Sequence, residues 1–125
     1  MIVGRLMKEV DMKVMKYTDI PAQTMQSPEL KDVNIRVVIG PDDGAPNFVM
    51  RLFEVGPGGY TPQHAHDWEH EVFIKAGQGV VKTKNGEVPV SEGSVIFIPP
   101  GEPHQFRNTG SSVLEFICLV PQGAG

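Results

Sequence analysis

No run of helical periodicity survives the turn signals in this chain. Its 14 glycines and 11 prolines, spread over 125 residues, stop each apolar stretch early and favour short strands over long helices. From Val33 onward the runs are rich in β-branched and aromatic residues. Residues 33–39 halt at Gly40-Pro41-Asp42-Asp43-Gly44, and residues 48–55 halt at Gly56-Pro57-Gly58-Gly59. Further strands are expected over 71–75, 79–84, 88–90, 94–98, 105–108 and 113–120, with Asn85-Gly86 as a two-residue hairpin turn. Upstream, 12–18 reads as a strand ended by Asp19-Ile20-Pro21, and 26–31 as at most one helical turn. Such a series indicates a sandwich or a small barrel.

The composition excludes several classes of function. A hydrophobic fraction of 40% and a charged fraction of 21% are ordinary for a globular domain. A net charge of −4 argues against nucleic acid, because phosphate neutralisation needs a basic surface. Cys118 is the only cysteine, so no intramolecular disulfide forms. No stretch reaches the ~20 apolar residues of a membrane span, and the N-terminus lacks the apolar centre of a signal peptide. A cytoplasmic protein is expected. Residues 1–11 read as a tail or as an extra strand laid against a partner subunit, and 12–125 as the barrel domain.

The chemistry concentrates in histidine. Three of the four fall in one stretch, His64, His66 and His70; the fourth, His104, lies in a second stretch from Gly93 to Asn108. A single histidine is most often a surface or core residue, but neutral imidazole is also the commonest metal ligand near pH 7. His64 and His66 converge if the chain there is extended, since alternate side chains share a face. A reversal through Asp67-Trp68-Glu69 would return His70 to the same point, and the fold must bring His104 back. One shared metal site follows.

These stretches resemble the two motifs of the cupin superfamily. Gly58 to Gly77 reads G-x5-H-x-H-x3-H-x6-G, with histidine at position 70 where most cupins carry glutamate. Gly93 to Asn108 reads G-x5-P-x-G-x2-H-x3-N. The wider pattern is similar to the small single-domain manganese cupins of hyperthermophiles, in which four histidines bind the metal. The resemblance implies a jelly-roll β-barrel, commonly a homodimer, holding one divalent ion per chain on His64, His66, His70 and His104. It favours manganese; iron, nickel, zinc and copper also suit an all-nitrogen set.

Four neutral imidazoles leave the charge of a divalent ion uncompensated, which disfavours the +3 state and attracts anions. Two adjacent open positions would suit a bidentate substrate, or a substrate with dioxygen. The reading is a small oxidoreductase of the dioxygenase type acting on a small, anionic molecule. Its alternatives are a Lewis-acid isomerase or lyase and a non-catalytic binding module. Period-two alternation turns Phe116, Cys118 and Val120 inward, away from Glu115. Cys118 reads either as a small buried hydrophobe or as a residue supporting metal chemistry. The resemblance turns Arg51 and Phe53 inward, Arg51 to hold a carboxylate substrate or to form a structural ion pair. Trp68 would cover the mouth, while Asp67, Glu69 and Glu71 form a solvated rim.

Overall fold

The structure is a computed structural model that describes residues 11–124. Expectations for residues 1–10 and Gly125 lie outside the described residues. Nine strands follow in chain order: β1 (Gln23–Thr24), β2 (Lys31–Ile39), β3 (Phe48–Tyr60), β4 (His70–Ala76), β5 (Gln78–Thr83), β6 (Gly86–Ser91), β7 (Val95–Ile98), β8 (Gln105–Asn108) and β9 (Leu114–Pro121). All belong to one curled antiparallel sheet in the order β6-β5-β8-β3-β9-β4-β7, with β2 on β3 and β1 on β2.

Three expectations are corrected. Residues 12–18 form no strand; the only regular structure there is a single 3₁₀ turn, Tyr17–Asp19. The backbone around it is satisfied instead by Arg36, whose Nη1 donates to the carbonyls of Tyr17 and Ile20 at 3.1 and 3.0 Å. The glycine cluster after residue 55 does not end its strand either. β3 runs on to Tyr60, because these glycines serve close packing against β2. A Cβ on Gly56 would collide with the carboxylate of Asp32, which at φ 57° faces the extra residues of β3 between Val55 and Tyr60, a bulge on that strand. The hairpin signal is shifted by one: Thr83 pairs with Gly86, so Lys84-Asn85 form the two-residue loop.

Alternation then sorts the faces. In β9, Leu114, Phe116, Cys118 and Val120 are buried, whereas Glu115, Ile117 and Leu119 between them are only partly so. In β4, His70, Val72 and Ile74 are buried while Glu71 and Phe73 are exposed. Inward residues from both ends of the sheet, Val81 and Val90 among them, share one core with Ile74 and Phe116. That closure brings the second histidine stretch back onto the first.

Candidate metal centre

His64 and His104 face each other across an isolated antiparallel bridge. The amide of His64 donates to the His104 carbonyl at 3.2 Å and the amide of His104 returns the bond at 3.0 Å. Next to it, Thr61 accepts the Phe106 amide on its hydroxyl at 2.9 Å, and its own amide donates to the Phe106 carbonyl at 2.9 Å. The two stretches are thereby locked in register. Gly101, at φ 84°, also donates its amide to the His66 carbonyl. A side chain at that φ would be strained.

The backbone thus assembles all four rings. Ligand atoms of His64, His66 and His104 lie within 4.8 Å of one another. The bends at Asp67 and Trp68 return the chain so that His70 begins β4. Its ring centroid stands 4.9 Å from that of His104 and 5.2 Å from that of His66. His70 falls outside the tight trio. Its Nδ1 sits 3.2 Å from Cys118 Sγ, and its buried Nε2 has no hydrogen-bond partner. His104 Nδ1 likewise pairs with the Glu102 carbonyl at 3.0 Å.

The electrostatics favour the neutral form of His64, His66 and His70. Burial, then the neighbouring rings of His66 and His104 and the Arg51 cation, lowers the pKa of His64 from 6.5 to about 4. Although His64 as a residue is exposed, its ring packs against those of His66 and His104. Burial followed by His104 and Arg51 lowers His70 to about 3. His66 is lowered too, first by burial and then by His104. Neutral, mutually crowded imidazoles with a buried orphan nitrogen fit a divalent cation.

A cavity of about 220 Å³ opens over these rings. Arg51, Phe53, Trp68, Phe116 and Cys118 line it as the sequence suggests. Val120 does not: it lies further along β9, opposite Val49, and is buried in the apolar core. Sequence reasoning missed Met25, Ile35, Thr61, Pro62 and Phe106 in the lining. Phe106 carried a signal, being two residues after His104 and so on the same face. Ile35 is placed by pairing with Phe53, which only the fold reveals.

Trp68 stacks on His66 with centroids 4.4 Å apart and planes 6° from parallel. Arg51 donates from Nη2 to Cys118 Sγ at 3.3 Å, and its Nε is buried without a partner. No salt bridge to Arg51 occurs among the described residues. Asp67, Glu69 and Glu71 are exposed.

Comparison with known proteins agrees with this geometry. The chain is 36% identical to an oxalate-binding protein of Thermotoga maritima over 74 residues, 56% of this chain and 61% of that one. It is 35% identical over 71 residues to a 1-methylthio-D-xylulose 5-phosphate methylsulfurylase of Rhodospirillum rubrum, 57% of this chain and 46% of that one. The matched regions thus span less than two thirds of either relative. The solved structure of the polyketide cyclase RemF from Streptomyces resistomycificus superposes with a TM-score of 0.83 at 36% identity, covering 89% of this chain and 80% of that one. The jelly-roll fold follows from that likeness. The family described as the cupin domain matches residues 51–120, from Arg51 through both histidine stretches to Val120, and the chain belongs to the cupin family.

Proposed function

We propose that this protein is a metal-dependent enzyme in which His64, His66, His70 and His104 hold one divalent ion, manganese by preference, and Arg51 anchors a small anionic substrate beside it. One observation carries the reading. Arg51 projects a guanidinium into the histidine cavity and over the Phe53 ring, yet among the described residues its one side-chain hydrogen bond is to a thiol sulfur. A guanidinium offers five donors in a planar fork suited to a carboxylate or an enolate. Phe53, Phe106, Phe116 and Trp68 wall the cavity and limit water, which strengthens that attraction.

The bound ion would supply a Lewis acid that polarises a carbonyl or carboxyl oxygen. The protein's part is to hold that ion on neutral imidazoles, to orient the anion through Arg51 and to exclude solvent. We favour Lewis-acid chemistry on an oxygen-chelating acid over the dioxygenase chemistry expected from sequence. The relatives described above are named for oxalate binding, methylsulfur transfer and polyketide cyclisation, and none of these names denotes a dioxygenase.

The test is anaerobic. Manganese-loaded protein is incubated with a β-keto acid in D2O, and α-proton exchange is followed by NMR. Exchange that needs metal and weakens at least about tenfold in Arg51→Ala, a loss of ~1.4 kcal/mol or more, supports the reading. Substrate loss only when oxygen is admitted would restore the dioxygenase. Unreactive binding of oxalate would leave a binding module.

We further propose that the protein works as a homodimer in the cytoplasm. Among the described residues no helix is long and apolar enough to cross a membrane. Val95, Phe97 and Phe73 are 77%, 62% and 47% exposed on the outer face of β7 and β4, an apolar surface that a second copy would cover. Light scattering of the wild type and Phe97→Asp tests it: a wild-type monomer rejects the dimer.

A further inference from the structure

Cys118 sits where one side chain can reach both working parts of the site. β9 lies between β3 and β4, and Cys118 is directly opposite Arg51 on one side and Val72 on the other. His70 is two residues before Val72, hence on the same face. From that central position Sγ meets Arg51 Nη2 at 3.3 Å and His70 Nδ1 at 3.2 Å. It is not itself part of the tight group of ligand atoms, which comprises His64, His66 and His104. Its residue is 3% exposed.

We propose, on the reading of the site given above, that Cys118 is a positioning residue: its sulfur accepts from both His70 Nδ1–H and Arg51, fixing His70 in the tautomer that leaves Nε2 free for a metal while holding the guanidinium at the histidine cavity. The buried His70 Nε2 with no partner is the observation that makes this specific. Were the other tautomer present, a buried N–H would point at the ion position and repel it. Metal-ligating histidines ordinarily fix their second nitrogen on a carboxylate or carbonyl. His104 does so through the Glu102 carbonyl. In His70 the sulfur takes that place, so the same atom joins the metal to the anion anchor. A bare apolar residue of similar size would fill the core but release both groups.

The experiment measures manganese and cobalt affinity by calorimetry for wild type, Cys118→Ser, Cys118→Ala and Cys118→Val, with melting curves to verify folding. Alanine and valine should weaken metal binding about 10–100-fold, and serine, which keeps an acceptor, should stay within about fivefold of wild type. The visible bands of the cobalt-loaded protein should move in alanine and valine and return in serine. In a His70→Ala background, Cys118→Ala should add no further loss, the non-additivity expected of two parts of one device. Equal affinities in all four proteins, or a serine variant as weak as valine, would overturn the positioning role while leaving the metal centre standing. A wild type that binds neither ion would overturn the metal reading and this one with it. If alanine fails to fold, valine against serine still decides, and if valine fails, alanine against serine does.

Discussion

The four histidines divide into an outer pair and an inner pair held by different physics. His64 and His66 belong to the irregular connection between β3 and β4; His64 is exposed and His66 half-buried. His70 and His104 are 6% and 5% exposed, at the start of β4 and just ahead of β8. Among the described residues, only the inner pair has its Nδ1 atoms paired, with Cys118 Sγ and with the Glu102 carbonyl. The outer rings are held by ring contacts, tilted against each other at 4.1 Å, with His66 stacked on Trp68. A site built this way has a rigid half that sets the ion's position and a softer half that closes around it. Preorganised ligands lose less freedom on binding, so they contribute more to affinity.

The largest expected effect is therefore an asymmetry among ligand deletions. His70→Ala and His104→Ala should weaken manganese binding by more than the ~10–100-fold typical of changes outside the ligand set. His64→Ala should cost less, because water can reach the vacated position. Calorimetric titration of the variants checks the order. Equal losses would mean that the two pairs are equally organised before the ion arrives.

The scaffold beneath the comparison can be loosened separately. Thr61→Val removes the hydroxyl that accepts the buried Phe106 amide. Leaving that donor unpaired should destabilise the fold by about 1–3 kcal/mol, read from denaturant midpoints. It should also weaken metal binding, because the Thr61–Phe106 bonds stand beside the His64–His104 bridge. Stability lost with unchanged metal affinity would show that the bridge holds its register alone.

Protonation sharpens the contrast. With folded pKa values near 4 for His64 and near 3 for His70, both are already neutral at pH 6. Their unfolded value is about 6.5, so between these limits the unfolded chain binds more protons and stability rises with pH. The metal-free protein should be most stable above about pH 6.5 and lose stability as pH falls toward 4. For metal binding, neither His64 nor His70 competes with protons between pH 5 and 6. The slope of log affinity against pH there should be no more than about 2, although four ligands with ordinary pKa values would give nearly 4. A slope near 4, measured on protein whose circular dichroism is unchanged, would mean that the rings are solvated before metal enters.

Which parts of this were legible in the sequence follows from how locally each was encoded. The period-two pattern of β9 placed Phe116 and Cys118 inward without any tertiary information. The spacing of the histidines announced a common site, and the family resemblance supplied the return of His104. Hidden were features that depend on which strands become neighbours. Gly56 to Gly59 read as a strand end because a glycine cluster usually makes a turn; only the bulge they form opposite Asp32 explains a strand that continues. The parity of Arg51 in β3 was ambiguous from charge alone, and its pairing opposite Cys118 resolves it. Residues 12–18 have strand-like composition but no ladder partner among the described residues.

The smallest effect is also the most local, and it singles out the softer half. Trp68 is the chain's only tryptophan, and its indole lies flat against His66. Its fluorescence therefore reports on His66 with no background from other tryptophans. If His66 ligates the ion, loading with a paramagnetic ion such as manganese should quench this emission in the wild type. His66→Ala removes the stacking partner and the ligand together, so it cannot by itself separate them. His104→Ala supplies the separation: it leaves the Trp68–His66 stack in place and removes a ligand from the opposite stretch. Quenching lost in His104→Ala at metal concentrations that saturate the wild type would tie the signal to the shared ion. Quenching that persists there with unchanged midpoint would mean that Trp68 senses an ion bound by the outer pair alone, and the division into a rigid and a soft half would have to be redrawn.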